Sequence, residues 1–171
     1  LYAGTEFLFD GQYNFNVYGT LKAIGTENDS IIFDNFGEER WSGFILDGAS
    51  DETEYQYVRT SGAEKNEGGG MYLINSNPMF THVNISGNTA SFGGGMYLIN
   101  SNPMFTHVNI SGNTASFGGG MYLINSNPTL THVNISGNTE VYDGGGMYLV
   151  NSNPILTHVT IGENTATNWG G

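Results

Sequence analysis

Short apolar stretches, each cut off by turn-forming residues, follow one another along the chain. Thr5–Phe9 is closed by Asp10-Gly11, and Tyr13–Tyr18 alternates, with Phe15 and Val17 on one face, until Gly19. Leu21–Ile24 ends in the turn-like Gly25–Asp29, and Ser30–Phe33, Trp41–Leu46 and Gln56–Thr60 continue the pattern. Nowhere do apolar residues fall at i, i+3, i+4 and i+7 between capping residues. The pattern therefore predicts an all-β chain with no significant helix.

From Gly68 onward the pattern becomes periodic. The 25 residues of 68–92 recur without a change at 93–117, with a few changes at 118–143 and with more at 144–171. Val58 and Ser61-Gly62 stand 25 positions before Val83 and Ser86-Gly87, so the period reaches back into the divergent segment 1–67. A fixed period of this length marks a solenoid. A coil of about 25 residues without helix has room for three short strands. These are Met71–Ile74, ended by Asn75-Ser-Asn-Pro78; Met79–Thr81; and Val83–Ile85, closed by Ser86–Thr89. Gly68–Gly70 then permits positive φ and close backbone approach where the next coil begins. Each strand is expected to pair in parallel with its copy one coil away, about 4.8 Å off. The whole of 1–171 then forms a single-domain parallel β-helix, with 1–67 as its divergent opening coils. Leucine-rich repeats lack support because their leucine spacing is missing. The calcium-binding nonapeptide repeat fails for want of Gly-Gly-x-Gly-x-Asp.

Such stacking sets like residues above one another. Phe80, Phe105, Leu130 and Leu156 form one apolar column, Val83, Val108, Val133 and Val159 a second, and Ile85, Ile110, Ile135 and Ile161 a third. Asn88, Asn113, Asn138 and Asn164 form a polar column whose amides are expected to bond along the stack and to turn carbonyls. Unpaired, each buried amide would cost on the order of 1–3 kcal/mol.

Gly-Gly-Gly-Met paired with Ile-Ser-Gly-Asn resembles the short motifs of the chlamydial polymorphic outer-membrane autotransporters. Those motifs carry Ala where Gly70 stands and Phe where Ile85 stands. Asn127-Pro-Thr-Leu-Thr-His-Val-Asn-Ile135 is similar to the β-helix repeats of large secreted bacterial surface proteins. Gly19–Phe33 looks like the first coils of such proteins in Bacteroidetes-type bacteria. The resemblance implies a right-handed helix, secretion and a place at the bacterial cell surface.

Composition narrows the function classes. The net charge is −12, and all four cations, Lys22, Arg40, Arg59 and Lys65, lie in 1–67 with thirteen of the sixteen acids. Residues 68–171 carry Glu140, Asp143 and Glu163 and no Lys or Arg. Nucleic acid and anionic membrane surfaces are excluded as partners, since both need clustered cations. There is no Cys, hence no disulfide framework, and no apolar run long enough to span a membrane. Without a visible signal peptide, the chain reads as a mature form or a piece of a longer protein.

Four constellations invite chemistry. The histidine column His82, His107, His132 and His158 could share a metal ion between adjacent rings. No acid or cysteine recurs beside it, so neutral stacking at the corner between strands is the preferred reading, and neither metal nor cofactor is expected. A polysaccharide lyase or hydrolase would need acids facing one cleft. The available ones, Glu38, Glu39, Asp47, Asp51, Glu52 and Glu54, sit in turn-like segments. Two threonine columns, Thr81/Thr106/Thr131/Thr157 and Thr89/Thr114/Thr139/Thr165, raise ice binding as a minor alternative. Asn-Ile-Ser at 84, 109 and 134 matches a glycosylation acceptor but reads here as strand sequence.

The fourth constellation is the strand Met71–Ile74, apolar at every position. Because alternate residues of a strand face opposite sides, two apolar side chains per coil must point outward. That leaves either Tyr72, Tyr97, Tyr122 and Tyr148 with Ile74, Ile99, Ile124 and Val150 outside, or the methionines and leucines. Such a stripe is either a contact surface or covered by another segment. The expected function is a non-catalytic extracellular scaffold, adhesive or fibre-forming. It would self-associate end to end or laterally, or engage a glycan or other cell-surface partner. A polysaccharide-binding or polysaccharide-degrading β-helix is the alternative.

Overall fold

The computed structural model describes residues 1–170, wound as a parallel β-solenoid of about six coils. Four sheets run along it. The first stacks Phe15–Val17, Phe44–Asp47, Met71–Ile74, Met96–Ile99, Met121–Ile124 and Met147–Val150. The second stacks Lys22–Ile24, Glu54–Gln56, Met79–Thr81, Met104–Thr106, Thr129–Thr131 and Ile155–Thr157. The third runs from Glu6–Phe9 and Ile31–Asn35 through Val58–Ser61, Asn84–Ser86, Asn109–Ser111 and Asn134–Ser136 to Thr160–Gly162. Each repeated strand pairs in parallel with its copy one coil on, as in Met71↔Met96↔Met121↔Met147. Among the described residues there is no helix, so none is long and apolar enough to cross a membrane.

The expectation of three strands per coil needs one correction. A fourth sheet stacks Glu64–Glu67, Thr89–Phe92, Thr114–Phe117 and Thr139–Asp143, where the sequence reading placed a turn running into glycines. This strand leaves the coil after the buried Asn88 and returns at Gly93, whose φ is 65°, matched by 66° at its copy Gly118. The return demands glycine beyond its torsion. A Cβ on Gly94 would lie 2.6 Å from the carbonyl oxygens of both Gly119 and Thr114.

The core follows from alternation. Met71 and Leu73, with their copies at 96, 98, 121 and 123, point inward and are fully buried. Phe80, Phe105 and Leu130 face them from the second sheet, and Val83, Ile85 and their copies from the third corner and sheet. Each such side chain contributes roughly 1.5–3 kcal/mol by leaving water. In the divergent opening coils large aromatics replace the repeated columns. Phe33 is surrounded by Phe7, Phe15 and Phe44 at 4.8, 5.3 and 4.6 Å between ring centroids. Trp41 stacks on Phe9 and donates its indole N–H to the Ser61 carbonyl at 2.7 Å.

Two polar ladders close the corners of the coil. The Asn113 side-chain oxygen accepts from the backbone N–H of Asn88 and from its amide, both at 3.1 Å. The amide of Asn113 in turn donates to the Ile85 carbonyl and to Asn138 Oδ1, each at 3.0 Å. A serine ladder repeats the device at the opposite corner. Ser101, Ser126 and Ser152 accept the backbone N–H of Ser76, Ser101 and Ser126 at 3.0–3.1 Å.

Asn113→Ala leaves the Asn88 N–H and the Ile85 carbonyl without partners in the dry interior. We expect it to cost about 2–4 kcal/mol in chemical denaturation, whereas Asn109→Ala in the outer row costs under about 1 kcal/mol. Tyr55 is the one misfit in its column: it stacks on Phe80 at 5.1 Å, fully buried, with its hydroxyl unpartnered. Tyr55→Phe is expected to stabilise the chain by about 1 kcal/mol, and a loss of stability would show that the hydroxyl has a partner.

Candidate functional site

The outward side chains of the first sheet are the tyrosines and Ile74, Ile99, Ile124 and Val150, the latter four half-buried. Tyr72, Tyr97, Tyr122 and Tyr148 stand in a row with centroids 5.1, 5.0 and 4.9 Å apart. The row is not bare. Phe92, Phe117 and Tyr142 of the fourth sheet make a second row, spaced 5.6 and 5.3 Å, that leans against it. Phe92 lies 5.6 Å from Tyr122, and Phe117 lies 5.9 Å from Tyr148. The fourth strand of one coil thus covers tyrosines of the coils that follow, and Tyr97 is left only 8% exposed. Burial, then the neighbouring phenols of Tyr72 and Tyr122 and the charge of Glu67, push the Tyr97 phenol up to about 12.

The histidines occupy the corner between the second and third sheets, at φ of 52–54°. Their exposed rings stack at 4.8, 5.0 and 4.7 Å, with Tyr57 at the head of the column 4.6 Å from His82. Ring nitrogens bind metal along lone pairs in the ring plane, about 2 Å away. Planes within 15° of parallel set those lone pairs side by side instead of pointing them at one ion. Among the described residues no three His, Asp or Glu side chains converge as metal ligands.

The acids considered for catalysis are dispersed. Glu38, Glu39, Asp47 and Asp51 are exposed; Asp51 accepts from Asn77 at 3.1 Å, and Glu54 pairs with Lys22 at 3.3 Å. The two threonine columns lie on different sheets, the second and the fourth, and do not make one flat face. Asn84, Asn109 and Asn134 are strand residues bonded into an outer amide row at 3.4 and 2.8 Å.

One site was not anticipated. Gln12, Ser42, Glu64, Lys65, Thr89 and Ser91 line a polar groove of about 460 Å³ beside the first fourth-sheet strand. Lys65 lies half-buried there, its ammonium 5.4 Å from the Tyr72 ring and its pKa held below the ordinary lysine value by burial, against the opposing charge of Glu67. Arg40 reaches Glu64 at 3.6 Å and Thr89 at 3.2 Å. The signal available beforehand was charge: two of the four cations fall next to the start of the repeats.

Fold and surface together define a parallel β-helix repeat protein whose polar ladders serve stacking. The chain belongs to the family described as the right handed beta helix region, whose model matches residues 22–171. Neither a search of curated proteins nor one of solved structures finds a match.

Covered tyrosines should resist ionisation. A folded pKa raised from 10 means that the protonated phenol is favoured by folding. The associated stability is full below pH 10 and is lost as pH rises toward 12. In spectrophotometric titration we expect Tyr97 to ionise late, Phe92→Ala to bring it back toward 10, and Tyr97→Phe to flatten the alkaline loss of stability. Unchanged ionisation of Tyr97 in the Phe92 variant would contradict the cover.

Proposed function

We propose that this chain is a non-catalytic, extracellular structural and adhesive scaffold of a bacterial cell surface. The observation that carries the reading is the periodicity of the exposed side chains. His82, Asn84 and Thr81 recur outward in coil after coil, in register, about 4.8 Å apart. Such a surface matches a partner that is itself periodic, either a glycan chain or another solenoid. The resemblance to secreted bacterial surface repeats supports the same location. Leu130 and Ile135 are fully buried, whereas their copies Leu156 and Ile161 are 47% and 46% exposed, and a further coil, of this chain or of a second copy, would cover them.

Polysaccharide binding is a second reading, favoured by the groove at Glu64 and Lys65. It sets the hydroxyls of Ser42, Thr89 and Ser91, the amide of Gln12 and the charges of Glu64 and Lys65 side by side, where the hydroxyls of a sugar can bond.

A glycan array, a polysaccharide-degradation screen and sedimentation velocity over a concentration series test both. We expect concentration-dependent association or glycan retention without depolymerisation. Glycan retention lost in Glu64→Gln and Lys65→Met would place the contact in the groove. A chain that stays monomeric at high concentration and retains no glycan, or one that cleaves a polysaccharide, would overturn the scaffold reading.

A further inference from the structure

The third repeated coil departs from its predecessors in length at one place. Where the two earlier coils read Thr-Ala-Ser-Phe, residues 139–143 read Thr-Glu-Val-Tyr-Asp, one residue longer. The fourth-sheet strand absorbs the insertion as a bulge: Ala115 pairs with Glu140 and Phe117 with Asp143, with the register shifting between them. The change puts a carboxylate over the alanine position, and Glu140 is only 3% exposed.

A buried carboxylate needs a partner, a proton or a metal ion. One oxygen, Glu140 Oε1, accepts the backbone N–H of Tyr142. The other, Oε2, is buried without a partner, and so is Asp143 Oδ1. The two acids stand three residues apart on the strand Thr139–Asp143, at either end of the bulge. No cation of the chain compensates them, for residues 68–171 contain no Lys or Arg. The remaining acid of that region, Glu163, is exposed at a left-handed turn, and the histidines stack at another corner.

We propose that Glu140 and Asp143 hold a divalent cation of the hard, oxygen-seeking kind, Ca²⁺, at the bulge of Thr139–Asp143. The donors are oxygens only, with no imidazole or thiolate, which suits Ca²⁺ rather than zinc or copper. Two carboxylates, each able to bind through one or both oxygens, supply part of the six to eight ligands Ca²⁺ takes, and backbone carbonyls and water supply the rest. With so few charged ligands the affinity belongs in the weak range, Kd on the order of 10⁻⁴–10⁻³ M. The site is independent of the scaffold reading: either can fail without the other.

The test is thermal unfolding and calorimetric titration of the whole chain, stripped with chelator and then given CaCl₂. At about ten times Kd we expect the melting temperature near pH 7 to rise by about 3–6 °C, with one ion bound per chain. Glu140→Gln and Asp143→Asn should each weaken binding at least about tenfold. Replacing Glu140–Asp143 by the Ala-Ser-Phe of the preceding coils gives a variant whose coil is already known to stack. It should keep its far-ultraviolet circular dichroism and lose the calcium shift. An unchanged melting temperature at about 10 mM Ca²⁺ overturns the proposal. So does a shift of the same size in the Ala-Ser-Phe variant, which would place the ion elsewhere.

Discussion

Everything in this molecule depends on one constraint: each coil must offer its neighbour the same donors and acceptors, at the same height, one strand spacing away. The asparagine ladder shows why. Asn88, Asn113, Asn138 and Asn164 lie in the dry interior, and each satisfies the backbone of one neighbour and the side chain of the next. A shift of one residue between coils would leave two unpaired amide groups per coil in an apolar medium. That penalty, on the order of 1–3 kcal/mol per group for two groups in every coil, is at least as large as the roughly 1.5–3 kcal/mol that burying one apolar side chain returns. The hydrophobic columns supply the driving force, and the amides and serine hydroxyls select the register in which it is realised.

Register set inside is inherited outside. Once Met71 stands over Met96, Tyr72 must stand over Tyr97 and His82 over His107. The imidazole column is thus a by-product of stacking, and its parallel planes explain why it does not converge on a metal. The aromatic zipper follows the same rule with a further consequence. The fourth strand gives Tyr97, Tyr122 and Tyr148 a Phe to lean on and sets Lys65 over Tyr72, so a face that would expose four phenol rings presents a partly closed seam. A periodic coil can cover its own apolar surplus only if the cover has the same period.

Much of this was legible in the residues. The inward columns of Val83, Ile85 and Phe80, the buried amides and the parallel one-coil register all follow from the period and from alternation. The fourth strand was not. Thr89-Ala-Ser-Phe92 lies between Ser-Gly-Asn and a triple glycine, and its small residues carry no strand signature of their own. It is a strand because its copies above and below offer hydrogen bonds, which is tertiary context overriding weak local preference. Missing it hid both the cover over Tyr97 and the groove at Lys65, since both are built from that sheet. The serine ladder was hidden for a related reason: Ser76 in Asn-Ser-Asn-Pro looks like turn polarity, and only stacking turns it inward.

A repeat of this regularity also determines where specific chemistry can reside. Identical coils give identical environments, so a feature present once must come from a departure. Two departures stand out. At Glu64–Glu67 the fourth sheet begins, and charged residues take the positions that Thr89–Phe92 fills later. At Glu140–Asp143 an inserted residue breaks the pairing with Ala115 and Phe117 and brings acid into a region without a cation. In both places the residue that interrupts the column is charged, and a column of neutral side chains has nothing to answer a charge with. What answers it must be a neighbour outside the column, a proton or a bound group. The irregular coils, rather than the many perfect ones, are therefore where this solenoid is equipped to recognise something other than itself.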